Sequence, residues 1–182
     1  MSDAIEKLKE DHRNMTALLG LIRREAKAFA DGERLDFRLL EGILDYTAHF
    51  PECMHHPLED EIFRKLKERA PEEAEEMADL AAEHKQLAER RQRLSDAVQR
   101  VLSEQEMSRE TFAEIAADYC DSFETHVEME EASLFPVAAQ ELTAADWAEI
   151  EENAESGSDP LFGGEGEQEY ERIRKAIISW EI

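Results

Sequence analysis

Positive charge is scarce in this sequence: 21 Lys and Arg face 45 Asp and Glu in 182 residues, a formal net charge of −24. A surface of that sign repels a nucleic-acid backbone and an anionic membrane alike, so neither is expected as a partner. Cysteine is nearly absent. Cys53 and Cys120 are too few for the disulfide framework on which small secreted domains rely. No uncharged stretch approaches the roughly 20 apolar residues that a membrane-spanning helix needs. Residues 1–8 lack the apolar run and small-residue cleavage site of a secretory signal. With a reducing interior as the default, these absences give a cytoplasmic protein as the expectation.

What the sequence does hold is helical periodicity. Apolar residues step by three and four through Ile5, Leu8, Met15, Leu19, Ile22, Ala26 and Phe29, with His12 in the same register, which predicts a helix over residues 3–30. A turn at Asp31, Gly32 and Glu33 leads to a second stripe through Phe37, Leu40, Leu44, Ala48, His55, Glu59, Ile62 and Leu66. Pro51 and Pro57 lie inside it. Because proline lacks an amide proton and crowds the preceding turn, a kink or irregular segment is expected between Tyr46 and Leu58. The third stripe starts at Pro71 and runs through Met77, Leu80, His84, Leu87, Leu94, Val98 and Val101, interrupted by Arg91. The fourth follows the cap Ser108 and reads Phe112, Ala116, Tyr119, Phe123, His126, Glu130, Leu134 and Val137, with Pro136 in its last turn.

Four long helices with short connections predict an all-α, antiparallel up-and-down four-helix bundle over residues 1–140. Residues 141–182 read as a helical extension packed on it. Thr143 and Asp146 cap a short helix through Trp147 and Ile150, and a loop over 156–166 carries Leu161 and Phe162 as an apolar anchor. A last helix from about residue 168 to Trp180 carries Tyr170, Ile173 and Ile177 on one side, either covering the bundle or meeting a second copy or a partner protein.

Histidine enters the apolar stripe of every long helix: His12, His55, His84 and His126. One such residue is ordinarily a hydrogen-bonded core histidine, but four converging imidazoles satisfy one another best through a cation. Glu59 and Glu130 follow His55 and His126 by four residues, on the same face, where an unpaired carboxylate would cost several kcal/mol. His56 stands one position off the stripe, immediately before Pro57. If the proline distortion turns that segment inward, His55 and His56 both become donors. Five imidazoles and two carboxylates suit two borderline first-row ions such as iron, the carboxylates bridging and one coordination position left open, whereas magnesium or calcium would prefer oxygen. The carboxylate-rich ferritin-like template asks for Glu-x-x-His on two helices. Only Glu52-Cys53-Met54-His55 supplies it at this site, and the His-Glu-x-x-His of zinc proteases is absent.

Asp11-His12, His55-His56-Pro57-Leu58-Glu59-Asp60, Glu83-His84, and His126-Val127-Glu128-Met129-Glu130-Glu131 leading into Leu134-Phe135-Pro136 together resemble the hemerythrin-like, or HHE cation-binding, family. Asp159-Pro160-Leu161-Phe162 resembles a tail segment of one branch. The resemblance implies a four-helix bundle around a non-haem di-iron centre, oxo- or hydroxo-bridged, that binds or reacts with dioxygen, nitric oxide or peroxide. It implies His12, His55, His84 and His126 as terminal ligands and Glu59 and Glu130 as bridges. His56 departs from the dioxygen carriers, in which the added histidine lies on the third helix four residues from its partner; here Leu80 and Ala88 flank His84 at that spacing, so either one iron has a different shell or His56 supplies the donor from the other side. His49 is a weaker candidate on the secondary face of His56, and Tyr46 and Tyr119 are candidate hydroxyls near the centre. The residues thus predict a small-molecule redox protein acting in sensing, stress protection or iron handling. The alternative is a metal-stabilised structural or interaction bundle without oxygen chemistry, with Leu161, Phe162 and Trp180 recruiting a partner.

Overall fold

The first apolar stripe forms helix α1, Asp3–Ala30. Gly32 ends it: at a φ of 105°, the Gly32 and Glu33 amides fold back onto the carbonyls of Phe29 and Ala28. Glycine takes this left-handed conformation without the penalty a Cβ brings. Asp36 then caps α2, Phe37–Phe50, accepting a hydrogen bond from the Leu39 amide at 3.1 Å. The computed structural model describes residues 3–77, 80–153, 159–162 and 170–180, and among them there is no strand. Most of the expected loop over 156–166, and the side chains of Leu80 and Trp180, lie outside the described residues.

The expected irregularity after α2 is a single π-helical turn, Pro51–His55, followed by α3, His56–Arg69. The turn is closed by the His56 amide bonding to the Pro51 carbonyl, five residues back. Pro57 explains it. In a regular helix its ring would press on the carbonyl of Cys53, and its missing N–H would leave that carbonyl unbonded; widening the turn by one residue relieves the clash. The fourth stripe repeats the device. After α6, Arg109–Met129, capped by Ser108 as expected, comes a second π turn, Glu130–Leu134, closed by Phe135 N–H to Glu130 O immediately before Pro136.

The third stripe is not one helix, contrary to expectation. Pro71 opens only a short helix α4, Pro71–Glu76, which tightens where the Met77 amide bonds to Ala74 O, and α5 runs over Leu80–Leu102. The long helices form a ring in which α1 packs on α2 and α6, and α5 on α2 and α6. No helix among the described residues is long and apolar enough to cross a membrane.

Two apolar clusters fill the bundle. The larger joins Met15 to Phe29 of α1 with α2, Leu87 to Val98 of α5 and Phe112 to Phe123 of α6; the smaller joins Ala4, Ile5 and Leu8 with Leu58, Ile62, Leu66, Phe135 and Ala138. His12, His55, His126 and Glu130 are buried in the chain stretches between them, and Glu59 is buried next to Leu58 of the smaller. After α7, Phe135–Glu141, the reciprocal Thr143–Asp146 cap opens α8, Ala144–Asn153, which is fastened to α3 by Arg69–Asp146 at 2.8 Å and Lys65–Glu149 at 2.6 Å. The tail closes on the opposite cluster. Asp159 accepts hydrogen bonds from the Leu161 and Phe162 amides and, at 2.8 Å, from the Tyr46 hydroxyl, while Leu161 is buried and Phe162 sits edge-on to Tyr46. The last helix, α9 (Glu171–Trp180), lays Ile173 over Gly42 so closely that a Cβ there would meet its Cδ1 at 3.2 Å.

Candidate metal centre

Every long helix sends polar side chains into the gap between the two clusters. His12 comes from α1, His55 from the end of the first π turn, His56 and Glu59 from α3, His84 from α5, His126 from α6, and Glu130 from the start of the second π turn. His55 and His56 are neighbours and would point about 100° apart on a regular helix. At the end of the widened turn both reach the centre. Three overlapping donor sets result, each with its ligand atoms within 4.8 Å of one another: His12, His55, Glu59 and Glu130; His56, Glu59 and His84; and His84, His126 and Glu130. Glu59 and Glu130 are common to both ends. Glu130 Oε2 lies 3.2 Å from His12 Nε2, while its Oε1 lies 3.0 Å from His126 Nε2 and 3.5 Å from His84 Nε2. Glu59 Oε1 faces His55 Nε2 at 3.2 Å, and its Oε2 faces His84 Nε2 at 3.6 Å.

The outer ring nitrogens fix which way these imidazoles are protonated. Carboxylates only accept hydrogen bonds, so His12 Nδ1 donates to Glu131 at 3.0 Å, His55 Nδ1 to Asp11 at 3.3 Å, and His126 Nδ1 to Glu83 at 2.9 Å. Neutral rings held this way turn the lone pair of Nε2 inward. His12 Nε2 and His55 Nε2 then face each other at 3.1 Å, and His126 Nε2 faces a carboxylate oxygen. Acceptors pointing at acceptors repel unless a cation lies among them. Both oxygens of Glu59, one of Glu130 and His84 Nε2 are buried without a hydrogen-bond partner, on carboxylates 3% and 1% exposed. Such groups cost several kcal/mol each if left uncompensated. The donor set therefore fits a pair of nitrogen-preferring first-row metal ions.

The proton affinities carry the same signature. Burial disfavours charge on His55, but Glu59 and Asp11 overcome it and push the pKa up to about 10. His126 is likewise raised against its burial, by Glu130 and Glu83. Burial would raise the Glu130 carboxyl, yet the imidazoles of His12, His126 and His84 hold it well below the usual carboxylate range. Without a metal, protons fill the place of cations. His56 behaves oppositely: burial and then the neighbouring rings of His84 and His55 push it down to about 3, leaving a neutral imidazole stacked on His84 at a 3.9 Å centroid separation.

The profile of the hemerythrin HHE cation binding domain matches residues 3–138, with a second, overlapping match over 79–155. The chain belongs to this family. No curated protein and no solved structure matches it. Against this hemerythrin-type frame, the seven donors named from the sequence, His12, His55, His56, Glu59, His84, His126 and Glu130, all converge. His49 does not. Its side chain is 70% exposed and its Nδ1 bonds to the Asp45 carbonyl. Sequence reasoning gave no role to Asp11, Glu83 and Glu131, which orient imidazoles on other helices. The available signal was their adjacency, each one residue from a donor.

Beside His56 and His84 is a cavity of about 30 Å³, lined also by Thr47, Leu87, Tyr119 and Phe123. Tyr119 is buried and paired with Thr47, and burial pushes its pKa up to about 12. Tyr46, the other tyrosine considered, is spent on Asp159 instead.

Proposed function

We propose that this chain is a non-haem di-iron protein that binds or reacts with dioxygen, nitric oxide or peroxide in sensing, stress protection or iron handling. In this reading His12 and His55 would hold one ion, His56, His84 and His126 would hold the other, and Glu59 and Glu130 would be available to both. The observation that carries it is the pair of donor sets sharing two buried carboxylates whose oxygens lack partners. When bound, ferrous iron supplies electrons and an open coordination position to a small ligand.

The rest of the chemistry belongs to the chain. Asp11, Glu83 and Glu131 hold the Nδ1 protons, orient the rings and raise the basicity of the inward nitrogens. Leu87 and Phe123 give the cavity an apolar lining, and its volume of about 30 Å³ suits a small reactant. A water-sized body needs about 10–15 Å³ of such space, so a diatomic or peroxide fits and an organic substrate does not. Tyr119 and Thr47 line this space as polar residues beside the histidines. The cavity also favours this reading over a closed structural metal site, which needs no vacant volume beside its ligands.

Purification without oxygen, metal analysis and optical titration with oxygen test the proposal. The expected result is two iron ions per chain and a charge-transfer band that develops with oxygen. Iron-free protein, or iron indifferent to all three ligands, overturns it.

A further inference from the structure

Arg91 is the basic residue that breaks the apolar face of α5, seven residues, or two turns, after His84. It lines two spaces at once. On the inside it borders the cavity of about 30 Å³ shared with His56, His84, Thr47 and Tyr119. On the outside it borders an open groove of about 540 Å³ between α2 and α5, along with Leu44, Ala48 and Ser95. The guanidinium therefore stands where the surface meets the metal centre.

Among the described residues its charge is unpaired. Arg90 and Arg93, its neighbours on the helix, both pair with Asp118, whereas no carboxylate among the described residues forms an ion pair with Arg91. The acids of the groove are engaged elsewhere: Glu41 accepts a bond from Gln99 at 2.7 Å, and Asp45 accepts one from Tyr170 at 3.2 Å and lies 3.3 Å from His49 Nδ1. In a chain of net charge −24, an arginine that is half-buried and has no acidic partner among the described residues can hold an anion. Overall repulsion would otherwise slow any anion's approach.

Resting on the di-iron reading, we propose that the α2–α5 groove is the access route for a small inorganic monoanion, which Arg91 binds and delivers to the cavity beside His56 and His84. The class includes hydroperoxide, nitrite and azide; the inner volume limits it to about three heavy atoms. Tyr119 lines the cavity that receives the anion.

Azide is the probe, in two arms. In the metal-free chain, the melting temperature is followed against azide at constant ionic strength, balanced with the bulkier anion gluconate. Azide should stabilise the wild type and not Arg91→Gln, and equal responses overturn the proposal. In iron-loaded protein, stopped-flow absorbance should show azide association at least tenfold slower in Arg91→Gln, with a weaker dependence on salt. Arg91→Lys should retain most of the rate, and the neutral ligand nitric oxide should bind both variants as it binds the wild type. Unchanged azide rates, or an equal slowing of azide and nitric oxide, overturn the role of Arg91. A wild type that takes up no iron sinks the di-iron reading instead, and the metal-free arm still decides whether Arg91 binds the anion.

Discussion

Replacing Glu130 by Gln should cost the chain its iron while leaving its helices intact. The side chain is 1% exposed and its two oxygens lie 3.0, 3.5 and 3.2 Å from the inward nitrogens of His126, His84 and His12. Both ions would lose a charged ligand together. Loss of an outer partner alone weakens metal binding about 10–100-fold, so a direct ligand shared by two ions should cost at least about 100-fold. At saturating iron that is about 3 kcal/mol of linked stability, or about 6–12 °C in melting temperature for a chain of this size. In the metal-free chain the Gln amide keeps the shape but removes the carboxylate that holds His126 protonated, so up to about 3 kcal/mol is lost there as well and iron content is the deciding readout. Iron per chain, far-ultraviolet dichroism and melting curves with and without iron measure all of this. Helicity should be retained while iron content falls. Unaltered iron content would refute the assignment.

The metal-free and loaded proteins should also part company as pH rises. His55 has its pKa raised to about 10 from an ordinary 6.5, so its contribution is fully present below pH 6.5 and is lost as pH climbs through 10; denaturant midpoints of the metal-free chain should fall over that window, while the loaded chain, whose His55 holds metal rather than a proton, should stay flat. Glu104 closes α5 at a φ of 55°, where its amide and that of Gln105 bond to Val101 and Arg100 carbonyls; Glu104→Gly should add about 1 kcal/mol, read as a higher urea midpoint with unchanged slope, and a loss of stability would contradict the strain. Cys53 is exposed, whereas Cys120 is buried and its thiol is pushed up to about 12 by that burial; a thiol-reactive dye should label one cysteine per native chain, at Cys53 by peptide mapping, and fast labelling of both would show that the core opens.

The bundle was legible because burial of a helix face is a periodic property, and periodicity is written in one dimension. Six of the seven candidate donors were legible for the same reason: polar residues such as His12 and Glu130 stand where the period calls for apolar ones, while His56, one position off the stripe, was marked only by the proline that follows it. Interruptions were legible only in place. Pro57 and Pro136 announce that a helix cannot continue regularly, but a kink, a break and a π turn all answer the same missing N–H, and the choice depends on what the neighbouring helices do with the displaced residue. Here the wider turn puts His56 against His84, a gain that cannot be counted from α2 and α3 alone. Asp11, Glu83 and Glu131 were hidden for a related reason. Each serves a histidine of another helix, so its role is set by how two helices rotate against each other, which no spacing within one helix encodes. The division follows from the physics: a donor is recognised by what its own helix buries, while its partner is recognised only after packing. The proline turns join these levels, since the residue that costs each helix a regular hydrogen bond also sets the register in which its donors meet those of the other helices.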